Sequence, residues 1–208
     1  MCMKAMIDPE QINSVIFDFD GTLCSGRYFE LLGSDALALI GELVFGDNSD
    51  RWADPWMRGE LTCHDIVFYL SEHLAVPEAE ILSALYRGCA DMTLNPNLHA
   101  FALRQGEAGR KTALVTANMD VFTEIVAPAH GLDRLFDLVL NSADHGTLDK
   151  RSLWDKAFEA FGPEHAYATS LLIEDNPGMV ALFESQGGIA YRYEGDAAFQ
   201  VWSQKHFQ

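Results

Sequence analysis

Two carboxylates spaced two residues apart, Asp18 and Asp20, follow the apolar run Val15-Ile16-Phe17 and precede Gly21-Thr22-Leu23. A second acidic pair, Glu174 and Asp175, follows Leu171-Leu172-Ile173 and precedes Asn176-Pro177, a helix start with proline at its first position. Side chains two apart on a strand share one face, and a parallel sheet binds ligands at the carboxyl ends of its strands. Clustered carboxylates there form a hard oxygen site of the kind Mg²⁺ favours, often through one or two carboxylates completed by water and phosphate oxygens. An isolated D-x-D is commonly no more than a polar turn, and two acids before a helix can simply cap it. Two such pairs, each behind a buried-type apolar run, point to chemistry instead.

The balance of charge sharpens this reading. With 14 Lys+Arg against 31 Asp+Glu the formal net charge is -17. No basic run exists to follow a phosphate backbone, so nucleic acid is not expected as a partner. An anionic substrate would have to be met by a locally positive site, usually built with a metal ion. The seven histidines show no metal-ligand spacing.

The elements that must position these groups are legible as an alternation of short apolar runs and helical patterns, the signature of an α/β fold with a mainly parallel sheet. Five strands are expected: Ser14–Phe17, Lys111–Val115, Leu138–Leu140, Leu171–Ile173 and Ile189–Tyr193. Helices are expected to start at Asn95-Pro96, at Ser152 (ending by Gly162), at Asn176-Pro177 (ending by Gly187) and at Asp196. Residues 27–91 break the alternation. They show helical periodicity only, with starts at Ser34-Asp35, at Thr62-x-x-Asp65 in the form of a capping box, and at Pro77-Glu78. A long insertion between strands tends to act as a lid or a substrate-selecting module. The division expected is thus a core of residues 1–26 and 92–208 and a helical cap of residues 27–91.

The segment Val15-Ile16-Phe17-Asp18-Phe19-Asp20-Gly21-Thr22-Leu23 resembles the nucleophile motif of the haloacid dehalogenase (HAD) superfamily of hydrolases. Leu114-Val115-Thr116 is similar to that family's second motif, Lys150 lies at a suitable distance before Glu174 to be the family's lysine, and Leu171 to Pro177 resembles the Glu-Asp variant of the fourth motif. Lys156 is a rival for the lysine, because the Lys-Pro pair frequent in the family is Lys150-Arg151 here. The resemblance covers nearly the whole chain, in the family's motif order. It implies a doubly wound, Rossmann-like α/β core with a helical cap after the first strand, and the phosphatase or β-phosphoglucomutase-like branch.

It also implies roles. Asp18 would be the nucleophile of an aspartyl-phosphate mechanism and Asp20 the general acid and base. Thr116, the Ala117 N–H and Lys150 would hold the phosphoryl group, with Asn118 near the substrate. Mg²⁺ would be held by the Asp18 and Asp175 carboxylates and the Asp20 carbonyl, with Glu174 a ligand or an outer partner. The implied activity is Mg²⁺-dependent hydrolysis of a small phosphorylated metabolite. The dehalogenases of the superfamily lack an acid two residues after the nucleophile, so Asp20 argues for phosphate. The alternatives are a sugar-phosphate mutase, for which Arg27, Arg51, Arg58 and Arg87 would have to hold a second phosphate, and a non-catalytic relative. Trp52, Trp56 and Phe68 are expected in the core more than in the pocket, and Cys24 as a small buried residue.

The runs Ala36 to Ile40 and Val180 to Phe183 fall far short of the roughly 20 residues of a membrane span, and Met1 to Asn13 carries no apolar leader. Cytoplasmic location and four reduced thiols, Cys2, Cys24, Cys63 and Cys89, are the expectation. Nothing in the sequence bears on oligomeric state.

Overall fold

A computed structural model describes residues 8–207. Met1 to Ile7, with Cys2, and Gln208 lie outside the described residues. The sheet has five strands in the order β3-β2-β1-β4-β5: β1 Ser14–Phe17, β2 Lys111–Thr116, β3 Leu138–Asn141, β4 Ser170–Glu174 and β5 Ile189–Arg192. Every pairing is parallel, so the sheet is more uniform than the mainly parallel one expected. β1 is fully buried, as a strand covered on both faces must be.

Alternation along β1 sorts the core into two layers. Val15 and Phe17 face the helices Pro96–Glu107 and Asp196–His206, where the Phe17 ring meets Phe101 at 6.1 Å and Phe101 meets Phe199 at 5.2 Å. Ile16 faces the opposite layer with Leu153, Trp154 and Phe183 from the helices Lys150–Phe161 and Pro177–Ser185. This is a doubly wound α/β fold. The chain leaves central β1 toward β2 on one side and reaches β4 on the other, so the carboxyl end of β1 lies at the topological switch point where such sheets bind ligands.

The asparagine-proline starts form as expected: Asn95 accepts from the N–H groups of Asn97 and Leu98, and Asn176 from those of Gly178 and Met179. One boundary differs. The helix expected from Ser152 begins at Lys150, because Asp149 caps it by accepting from Arg151 N–H. An aspartate followed by two basic residues gives a weak start signal in sequence, yet it fixes where Lys150 points.

Between β1 and β2 the chain is helical, with Ser34–Ile40, Cys63–Leu74 and Glu78–Ala90 the main helices. The Thr62/Asp65 capping box is present. This segment does not stand apart, since Phe29, Ile40, Trp56, Leu70 and Leu85 belong to the same continuous apolar cluster as Phe17 and Phe101. Trp56 is fully buried, and Trp52 stacks on Tyr69 with ring centroids 3.9 Å apart. Phe68, expected in the core, is 56% exposed and turns to solvent. Cys24, Cys63 and Cys89 are buried free thiols. Among the described residues no helix is long and apolar enough to cross a membrane.

Candidate active site

β1 delivers Asp18 to the strand ends with its backbone still in the ladder: Asp18 N–H donates to Ile173 O at 3.0 Å. The next strand along delivers Glu174 and Asp175. Carboxylate oxygens of Asp18, Glu174 and Asp175 all lie within 4.8 Å of one another, a spacing that one divalent cation with bonds of about 2 Å can draw together. Lys150 Nζ enters from the start of its helix, 2.5 Å from Asp18 Oδ1 and 2.8 Å from Glu174 Oε2. Lys156 is exposed farther along the same helix, so of the two lysines it is Lys150 that contacts the acidic pair. Glu174 is occupied at both oxygens, since Oε1 accepts from Asn176 N–H at 3.0 Å.

Burial dominates the electrostatics. It raises the Asp18 carboxyl, with the Lys150 charge and hydrogen bond acting against it and the Asp20 charge adding to it. Burial and then the Asp18 charge raise Glu174. Burial and then Glu174 raise Asp175. For Lys150 burial disfavours the ammonium, but the charges of Asp18 and Glu174 outweigh it and the net shift is upward. Asp20 presents surface to the cleft while protein atoms crowd its other sides. That crowding pushes its carboxyl up to about 6, against the opposing hydrogen bond from Asn118.

Gly21 lets the two acidic loops approach. Its φ of +75° is costly for any residue with a side chain, and an added Cβ would collide with Asp175 Oδ2. A side chain at position 21 would therefore push Asp175 out of the cluster.

Thr116 ends β2, buried beside this group, and Ala117 follows it at the cleft wall. Asn118 sits behind Asp20 and not in the open cleft. Its Nδ2 donates to Asp20 Oδ2 at 2.7 Å, its Oδ1 accepts from Tyr28 OH at 2.6 Å, and its N–H donates to Ser142 Oγ at 2.8 Å. Tyr28 belongs to the inserted helical segment, so the insertion reaches the Asp20 carboxylate through one side chain. A second tie is Asp120, which accepts from Trp56 Nε1 at 2.6 Å and from Cys63 N–H at 2.7 Å. Tyr28, Ser142 and Asp120 escaped the sequence reading. None carries a spacing signal, because their partners lie 24 to 90 residues away.

An all-parallel sheet of this order, with a strand-end acidic cluster and a buried lysine, defines a class. The family model of haloacid dehalogenase-like hydrolases matches residues 15–164, and the chain belongs to that family. No curated protein sequence matches it. Among solved structures it is similar to a predicted HAD-like family hydrolase from Porphyromonas gingivalis, with a TM-score of 0.71 and 16% identity, covering 95% of this chain and 99% of that one. A HAD family enzyme of Bacteroides thetaiotaomicron, in complex with magnesium and inorganic phosphate, aligns at TM-score 0.68 and 13% identity over 91% and 98%. The L-2-haloacid dehalogenase of Xanthobacter autotrophicus, with chloropropionic acid covalently bound, aligns at 0.61 and 14% over 94% and 84%. At these identities the likeness is one of fold.

Proposed function

We propose that this HAD-like hydrolase is a Mg²⁺-dependent phosphomonoester hydrolase with Asp18 as nucleophile and residues 27–91 as its cap. The observation that carries the reading is the pairing of two different carboxyls in one cleft. Asp18 is held by Lys150 beside a cluster suited to a cation, and Asp20, two residues on, has a carboxyl that can hold a proton near neutrality. The donor set is all oxygen, which suits Mg²⁺ over softer metals, and the Bacteroides enzyme was crystallised with magnesium and phosphate. Mg²⁺ bound by Asp18, Asp175 and the Asp20 carbonyl would offset the repulsion between a carboxylate and a phosphate dianion.

The chain's own groups then divide the work. An Asp18 oxygen attacks phosphorus, the bond from phosphorus to the ester oxygen breaks, and Asp20 gives its proton to the departing alkoxide. Water next attacks the aspartyl-phosphate at phosphorus, Asp20 takes the proton, and inorganic phosphate leaves with Asp18 restored. Lys150, Thr116 and the Ala117 N–H hold the phosphoryl oxygens as charge spreads over them. Glu174 orients Lys150, and Asn118 orients Asp20.

The fold is shared with a dehalogenase, but halide departs without a proton. An acid held by Asn118 where a leaving group would sit therefore favours an oxygen leaving group.

The test is phosphate release from a panel of phosphate monoesters, with Mg²⁺ and with a chelator. Release should require the metal. Undiminished release in chelator would refute the reading. A second expectation concerns pH. The raised carboxyls of Asp18, Glu174 and Asp175 bind protons that a cation must displace. A group raised in the fold favours the folded state at low pH and loses that contribution as pH rises through its folded value. The Mg²⁺-induced rise in Tm, measured against chelator, should therefore grow as pH rises from the ordinary carboxylate range toward neutrality. A rise that is constant with pH would count against the cation sitting on these acids.

A further inference from the structure

A cavity of about 330 Å³ opens on the far side of Asp20 from the acidic cluster. It shares Asp20 and Ala117 with the cleft that holds Asp18, Lys150 and Asp175, so the two spaces meet at the proposed general acid. Phe29, Leu37, Ile40, Phe45, Met57 and Met119 supply its walls. Of the polar side chains that line it, Tyr28 and Asn118 are already engaged. Tyr28 OH donates to Asn118, and Asn118 in turn donates to Asp20. Arg27 also lines it, with its side chain exposed.

We infer that this cavity is the subsite for the leaving group, and that the preferred substrate is the phosphate ester of an apolar alcohol, such as an arylalkyl or branched-chain alcohol, and not of a sugar or polyol. The inference rests on the phosphatase reading. If phosphorus sits over Asp18 and the ester oxygen at Asp20, the organic group has to continue into the space beyond Asp20. There an apolar body gains burial, whereas most hydroxyls of a sugar, set against the apolar walls, give up water without gaining a partner. One such unpartnered hydroxyl costs roughly tenfold to a hundredfold in binding. The size is at the lower end for ligand pockets and suits a group of about the bulk of a substituted phenyl ring.

Gly41 provides a clean test. It lines the cavity within a helical run, and a Cβ added there would meet nothing within 4 Å. Gly41→Met should fill the space without harming the fold, since a helical glycine is also the weaker helix former. The experiment compares kcat/KM for benzyl phosphate, glucose 6-phosphate and ethyl phosphate in the full chain with Mg²⁺. All three release a primary alkoxide, so the chemistry is matched and the cavity alone discriminates.

Benzyl phosphate should exceed glucose 6-phosphate by on the order of a hundredfold. Gly41→Met, with an unchanged melting temperature, should bring the ratio of kcat/KM for benzyl phosphate over glucose 6-phosphate most of the way down to one, with ethyl phosphate as the reference for each protein. Equal or reversed preference, with release still metal-dependent, overturns the inference and leaves the phosphatase reading standing. A Gly41→Met variant that keeps the preference also overturns it. No release from any of the three esters brings down the phosphatase reading and this inference with it.

Discussion

Replacing Asp18 with Asn is expected to lower kcat/KM for phosphate release by on the order of 10⁵-fold, about 7 kcal/mol of transition-state stabilisation. An amide oxygen carries no charge and forms no stable acyl phosphate, so the covalent route closes altogether. The residual rate reflects what positioning by Lys150 and Thr116 can do alone. The substitution should not unfold the protein. Asp18 is nearly buried among other acids and its carboxyl is raised by that burial, so exchanging it for a neutral side chain relieves a crowded negative cluster, while Lys150 keeps Glu174 as its partner at 2.8 Å. A melting temperature in chelator no lower than the parent's, with activity gone, separates a catalytic loss from a folding one. Retained activity would remove Asp18 from the role of nucleophile.

Asp20→Asn should show a dependence on the leaving group that no structural defect imitates. For alkyl phosphates the departing alkoxide needs a proton, and the loss should be roughly 10²- to 10⁴-fold, the usual range for a general acid or base. For p-nitrophenyl phosphate the phenolate departs unaided, so formation of the aspartyl-phosphate should be almost unaffected. Its breakdown, which needs a base for water, should be slow. The variant should therefore give a rapid burst of p-nitrophenol followed by a slow steady phase. Equal losses for alkyl and aryl esters, with no burst, would assign Asp20 a merely structural role. Asn in place of Asp keeps an acceptor for Asn118 Nδ2, so the Tyr28–Asn118 link should survive.

Most of this framework could be read from the chain because its informative features are local. A strand buried on both faces must be apolar throughout, and the five expected strands fall within a residue or so of the observed β1 to β5. Asparagine-proline pairs fix helix starts through their own backbone, so the helices after Asn95 and Asn176 were visible without any tertiary context. The two acidic pairs were visible for the same reason, since each is a strand end.

What was hidden depends on distance in sequence. Choosing between Lys150 and Lys156 needed the Asp149 cap, which rotates the helix start so that position 150 meets Asp18. Asn118 carries a residue-type signal, but its position beside Asp20 on the cavity wall is set by Tyr28 and Ser142. Phe68 was expected in the core because an aromatic inside an apolar helical run usually is. The face of that helix that packs inward carries Ile66, Val67 and Leu70, and leaves Phe68 outside. The apolar cavity had no sequence signature at all, because it forms where the inserted helices close over the loop after β2.

Quenching the Asp20→Asn protein during turnover of p-nitrophenyl phosphate, and locating any covalently bound phosphate by peptide mass spectrometry, asks most directly whether a carboxylate takes up the phosphoryl group. The account predicts one phosphoryl group per chain, carried by Asp18, appearing with the burst and only when Mg²⁺ is present. Phosphate on any other side chain, or sustained turnover with no phosphorylated protein at any time, would contradict it.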